Sequence, residues 1–231
     1  MGSMIVHREH PFLRDRVDAG ERLAEALSRY QGSEVVILAV PRGGVPVAVK
    51  VAEKLSAPLD VVIPRKITIP GNPEAGYGAV TEDGTIVLNE ALVARLGLSE
   101  QQIQRQAEDV RAEITRRGAI YRNKLVVAPV EGKTAIIIDD GLASGFTMLA
   151  AAKSTQQRKA ARIVVAVPVA SGAAYDLIEG MVDDLVCLVI ARTYEFAVAS
   201  FDHNWYDLTD EEVVQWLEDW QARQAAGSRR I

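Results

Sequence analysis

The chain has 231 residues, 26 of them Lys or Arg and 31 Asp or Glu, for a net charge of −5; 48% are hydrophobic and 25% charged. That is the balance of an ordinary soluble globular protein, and its acidic sign argues against a dedicated nucleic-acid binder, which needs a basic face. Nothing runs apolar for about 18 residues, so no membrane span is expected.

Met1-Gly2-Ser3 reads as a cloning scar ahead of Met4, and no basic stretch followed by an apolar one suggests a secretory leader. Residues 15–30 carry Val17, Leu23, Leu27 and Tyr30 at roughly helical spacing, which predicts an amphipathic helix. Apolar runs follow at 35–40, 59–63, 134–138 and 162–169, with a fifth at 185–191. They are continuous rather than alternating, as strands of a parallel sheet covered on both faces must be. Segments 43–55, 147–157 and 171–181 between them read as helices. The expected fold is therefore α/β, an open doubly wound and mainly parallel sheet, in one domain over 5–224.

Residues 65–124 interrupt the alternation. They begin with the mobile-loop composition of Gly71, Asn72, Pro73, Gly76 and Gly78, then a hairpin over 78–89 turning at Glu82-Asp83-Gly84. Ser99 with Gln102 makes a capping box, followed by a narrow stripe of Ile103, Ala107, Val110, Ile114 and Tyr121. Such a helix buries one face only, against a subunit partner or the core edge, and it makes a homodimer the default expectation. Near the C-terminus Thr209 and Glu212 cap a helix with Val213, Trp216, Leu217 and Trp220 on one side. The lone Cys187 lies in an apolar run, where a small buried hydrophobe is expected, and the lack of an internal disulfide fits a reducing, cytoplasmic setting. Three His and one Cys without ligand spacing argue against a structural zinc site.

The most informative stretch is IIIDDGLASGFT, Ile136 to Thr147. A buried strand ends in Asp139 and Asp140, and a turn with Gly141, Ala143, Ser144, Gly145, Phe146 and Thr147 leads into a helix. Ligands of open α/β sheets sit beyond the carboxyl ends of the strands, and a helix N-terminus there is a phosphate site. Two carboxylates beside a phosphate are not further anion ligands. They suit a sugar diol attached to that phosphate, or a metal at one remove. Asp-Asp-Gly alone is an ordinary capped turn; the loop that follows shifts the reading to phosphate and ribose. Val40-Pro41-Arg42-Gly43-Gly44 is a second strand-to-helix turn with anion chemistry, since Arg forks onto phosphate oxygens. Arg65-Lys66 adds positive charge.

The loop resembles the signature of the type I phosphoribosyltransferases, which bind 5-phosphoribosyl 1-pyrophosphate (PRPP). Ser144 stands where the first Thr is usual, and Phe146 where something smaller or more polar is usual. The order FLRDR, VPRGGVPVA, APLDV…RK, GNPE, EDGT…LNE, DDGLASGFTM and DEEV, from Phe12 to about Val214, is similar to a bacterial and archaeal group within that family whose acceptor is unassigned. The resemblance implies a Mg²⁺-dependent transfer from PRPP to a small-molecule acceptor with release of pyrophosphate. It implies that Asp139 and Asp140 hold the ribose hydroxyls and that 143–147 wrap the 5′-phosphate, with magnesium carried by PRPP and reaching the acids through water. It implies further that Arg42, Gly43 and Gly44 grip pyrophosphate, helped by Arg65 and Lys66, and that the stretch from Pro70 is a loop closing over the site. Asp139, Asp140, Arg42 and Lys66 are the expected catalytic set.

In the 6-oxopurine enzymes of this family an acid stands at the position of Ala143, so hypoxanthine and guanine are disfavoured as acceptors. A hood over 192–224 is expected to frame the acceptor, with Phe196, Phe201, Trp205 and Tyr206 available to stack on a planar base, Tyr194 nearby and His203 as an exposed polar residue. The rival reading is a PRPP-sensing regulator that keeps the fold without catalysis.

Overall fold

The computed structural model describes residues 3–7 and 12–228, so Met1 and Gly2 of the expected scar lie outside it. In chain order the elements are β1 (Met4–Val6), α1 (Arg16–Ala26), β2 (Val35–Ala39), α2 (Gly44–Leu55), β3 (Leu59–Val61), β4 (Pro64–Ile69), β5 (Asn72–Thr81) and β6 (Ile86–Leu88). Then come α3 (Glu90–Leu96), α4 (Glu100–Arg122), β7 (Thr134–Ile138), α5 (Phe146–Gln157), β8 (Arg162–Ser171), α6 (Gly172–Glu179), β9 (Asp184–Ala191) and α7 (Asp210–Ser228).

Six strands form one parallel sheet in the order β1-β9-β8-β7-β2-β3. Alternate residues feed two separate cores, which is why the strands had to be apolar throughout. Ile37, Ile136, Ile138 and Val164 pack with Leu23 of α1, Val47 of α2 and Leu217 of α7. Leu38, Ile137 and Val165 pack on the other face with Leu149 of α5 and Ile178 of α6. From β2 the chain winds outward to β3, and from β7 it winds the other way to β8 and β9. The order thus reverses between β2 and β7, whose carboxyl ends are the expected ligand crevice.

The excursion folds differently from the expectation in one respect. The Gly- and Pro-rich stretch from Pro70 is the tip of an antiparallel hairpin of β4 and β5, turning at Gly71 with φ +78°. Loop composition cannot be told from hairpin-tip composition, because both need residues that tolerate positive φ. The second turn, at Glu82-Asp83-Gly84, lies between β5 and β6 as read from the sequence. The capping box of Ser99 and Gln102 opens α4, and Thr209 with Glu212 makes the reciprocal bonds ahead of α7.

The stripe on α4 has its partner within the chain. Ile103, Ala107, Ile114 and Tyr121 are buried against the β4–β5 hairpin and α7, so the core-edge alternative holds and the argument for a homodimer is gone. The hood begins where the two ends of the domain meet: the amides of Phe12 and Leu13 donate to the Phe201 carbonyl, and those of His203 and Asn204 donate to Leu13 and Arg14.

Candidate active site

β7 ends at Ile138, whose carbonyl accepts the Val40 amide at 2.8 Å and locks the end of β2 beside Asp139 and Asp140. The turn Pro41–Gly44 therefore lies directly on the acid pair, and the Pro41–Arg42 peptide is cis. A Cβ built on Gly43 would fall 1.7 Å from Asp140 Oδ2, and one on Gly44 2.8 Å from Asp139 Cα. The two motifs singled out in the sequence form one surface. Asp139 accepts the Asp140 amide on Oδ1 at 2.8 Å. Loss of solvation, and then the neighbouring Asp140 charge, push its carboxyl well above the usual range.

The following loop is anchored from below and open above. Leu142 donates to Val169 and accepts from Ser171, whose Oγ also donates to the Ala143 carbonyl at 2.7 Å. Gly145 has φ +82°, a conformation that calls for glycine. Among the described residues nothing accepts from the amides of Ala143, Ser144 and Gly145. Ala143 and Ser144 are exposed, Phe146 opens α5 and packs partly into its core, and Thr147 stands in the first turn. Three amides without an acceptor among the described residues, ahead of a twelve-residue helix, suit an anion.

Cations line the β2 side, joined by two carboxylates. Arg42 Nη1 lies 3.8 Å from Asp210, which also accepts from the Tyr121 hydroxyl and has Arg117 Nε at 3.7 Å. Arg117 bonds Glu113 at 2.9 Å, and Glu113 meets Arg65 at 3.4 Å. Arg65 and Lys66 do not act as a unit. They are neighbours on β4, so their side chains leave opposite faces; Arg65 turns to α4 and Lys66 lies along Gly76 of β5. The hydrogen bonds and charge of Arg116, with the charges of Arg117 and Arg65, hold the Glu113 carboxyl down at about 2 against an ordinary 4.5. Its contribution to stability is then complete above pH 4.5 and lost as the pH falls toward 2. Glu113 is partly solvated, so this is worth no more than about 1 kcal/mol. Glu113→Gln is expected to lower the Tm slightly at pH 7 and to match the parent near pH 2 in acid melting curves.

One residue of the site escaped the sequence reading. Arg16 donates through Nε and Nη2 to Asp140 Oδ2 and through Nη1 to the Tyr206 carbonyl, with Trp205 beneath its guanidinium. Its signal was a cation in the first turn of α1, where the helix dipole disfavours one. The aromatic group is correspondingly smaller than expected. Phe201 is fully buried in a core with Val6, Val169 and Val189 and is no acceptor contact; Phe196 stacks on it at 5.7 Å. One face of Trp205 is covered by Arg16. Tyr206 and Tyr194 remain exposed, as does His203. Cys187 is buried, its thiol pushed up to about 12 by loss of solvation, as a packing residue should be. Among the described residues no group of three His, Cys, Asp or Glu forms a metal cage, and no helix is long and apolar enough to cross a membrane.

The profile of the phosphoribosyl transferase domain matches residues 13–204. Two proteins of Mycobacterium tuberculosis, from strains CDC 1551 and H37Rv and named provisionally as phosphoribosyl transferases, are each 38% identical over 204 residues, 88% of this chain and 46% of theirs. The chain spans about half the length of these relatives. The crystal structure of TT1426 from Thermus thermophilus is 38% identical, with a TM-score of 0.76 over 90% of this chain and 99% of that one.

Proposed function

The chain belongs to the phosphoribosyl transferase family, and from that premise we propose that it transfers the 5-phosphoribosyl group of PRPP to a nitrogenous base or similar acceptor, releasing pyrophosphate. The observation that carries this reading is the contact of Gly43 and Gly44 with Asp139 and Asp140, beside the free amides of 143–145. It supports reading the turn as the pyrophosphate site, the acid pair as the diol site and the loop as the 5′-phosphate site of one substrate.

In this reading the amides of Ala143 to Gly145 and the Ser144 and Thr147 hydroxyls take the 5′-phosphate. Asp140 and Asp139 each accept one ribose hydroxyl, the Asp139 carboxyl being pushed upward by burial and by the neighbouring Asp140 charge. Fixing the ring by its diol and phosphate leaves C1 as the free centre, so much of the rate comes from positioning. Arg42 faces the departing pyrophosphate, with Arg117 and Arg65 behind it as reserves of positive charge. The hard oxygens of Asp139 and Asp140 fit Mg²⁺ that arrives on the substrate phosphates and keeps its waters, and that ion would supply charge neutralisation at the pyrophosphate. A β4–β5 hairpin that folds over C1 would exclude water, to which a ribosyl cation is exposed. Ala143 offers no acid toward a purine ring, so hypoxanthine and guanine are poor acceptor candidates. A reducing cytoplasm suits a chain whose single thiol is buried.

The test is a calorimetric titration of Mg·PRPP, followed by a screen of bases for pyrophosphate release. Saturable binding with turnover is expected. Binding without turnover by any base would favour the sensor reading, and no binding at millimolar ligand would remove both. Ser144→Ala is expected to weaken Mg·PRPP by about 1.5–3 kcal/mol, the worth of one hydrogen bond to a charged group, with the melting temperature unchanged.

A further inference from the structure

Arg16 is the one cation in direct contact with the acid pair among the described residues, and it is almost fully enclosed, its side chain 9% exposed. Its Nε and Nη2 donate to the same oxygen, Asp140 Oδ2, at 3.0 and 2.9 Å. Asp140 Oδ1 takes no part in that grip. Three constraints fix the guanidinium in turn: Nη1 donates to the Tyr206 carbonyl at 2.8 Å, the Trp205 ring centroid lies 4.0 Å from Cζ, and Tyr206 stands beyond at 5.9 Å. A planar fork that bonds along its edge and stacks on its face needs arginine; a lysine ammonium supplies charge without the plane. The residue also stands in the first turn of α1, where the helix dipole works against a cation, so its place there is not explained by the helix.

We propose that Arg16 is a positioning residue of the donor site. It grips Asp140 by one oxygen so that the other is presented to a ribose hydroxyl, and it ties that orientation to the hood through Trp205 and the Tyr206 backbone. The assignment rests on the reading of the site as one for PRPP. Arg16 touches neither the ribose nor pyrophosphate; it acts through Asp140.

The experiment titrates Mg·PRPP calorimetrically into the wild-type chain and into Arg16→Gln, Arg16→Lys and Trp205→Leu, each checked for folding by circular dichroism. Arg16→Gln is expected to raise the half-saturating concentration at least tenfold, and Arg16→Lys, which keeps the charge but not the fork, to fall between it and wild type. A purely structural role would not produce that graded rescue. Binding by Arg16→Gln equal to wild type, or by Arg16→Lys no better than by Arg16→Gln, overturns the assignment. If Arg16→Gln does not fold, Trp205→Leu decides: a loss of at least threefold supports the proposal and wild-type affinity overturns it. A wild-type chain that ignores Mg·PRPP refutes the donor-site reading itself, whereas tight wild-type binding with an indifferent Arg16→Gln refutes only the role of Arg16.

Discussion

Replacing Asp139 and Asp140 together by Asn is expected to weaken Mg·PRPP binding by more than about a hundredfold. Each carboxylate that accepts a ribose hydroxyl contributes about 1.5–3 kcal/mol, and two such losses compound to that factor. The stability of the variant follows from how differently the two acids are held. Asp139 bonds the Asp140 amide and makes no ion pair among the described residues, and the Asn oxygen of Asp139→Asn still accepts that amide, so this change is expected to cost little stability. Asp140 faces a buried Arg16, and Asp140→Asn leaves that guanidinium without its counter-charge. An Asn oxygen still accepts from Nε or Nη2, which keeps the cost below the 3–5 kcal/mol of a fully broken buried pair, at about 2 kcal/mol. The double variant should then melt about 4–8 °C below the parent while keeping its far-ultraviolet spectrum, nearly all of the shift coming from position 140. Titration and melting of both single variants and the double variant separate the two effects. Affinity within threefold of the parent in the double variant would show that the diol lies elsewhere.

The parts of this site that could be read from the sequence are those whose meaning is local. Continuous apolar runs announce strands buried on both faces, and Asp139 to Thr147 and Arg42 to Gly44 follow such runs directly, so their place at the carboxyl ends of β7 and β2 follows from the fold class. Capping boxes are equally local, and both bounded their helices. What escaped depends on partners far along the chain. Arg16 meets Asp140 across 124 positions, and no spacing rule reports such a pair. Phe201 was grouped with the aromatics of the hood as available for stacking, but its packing partners come from β1, β8 and β9. The stripe of α4 was visible, yet a stripe does not say whether its cover is another subunit or the chain's own hairpin. Arg65 and Lys66 were misjoined for a different reason. Once β4 is a strand the period of two sends them apart, so an unrecognised strand cost a correct reading of the cations.

Gly43→Ala and Gly44→Ala should fail in different ways, and the contrast tests the geometry of the site. Gly43 has φ −60° and ψ −31°, which any residue adopts, so its backbone does not require glycine. What requires it is proximity: a Cβ there would fall 1.7 Å from Asp140 Oδ2 and 2.4 Å from Cγ. That obstacle is the end of a side chain, which can swing aside, taking with it the grip of Arg16. Gly43→Ala is therefore expected to fold with a stability loss of about 1–2 kcal/mol, in the lower range for overpacking, and to lose Mg·PRPP affinity as severely as Asp140→Asn. A Cβ on Gly44 instead meets the Ile138 carbonyl at 2.6 Å and Asp139 Cα at 2.8 Å. Both are backbone atoms at the end of a central strand and cannot move without parting β2 from β7. Gly44→Ala should cost about 3 kcal/mol or more, the upper range for overpacking, and lower the melting temperature before ligand is added. Denaturant unfolding of both variants, with Mg·PRPP titration of whichever folds, reads the difference. Gly43→Ala binding with wild-type affinity would mean that the Asp140 carboxylate is not needed where the fold holds it.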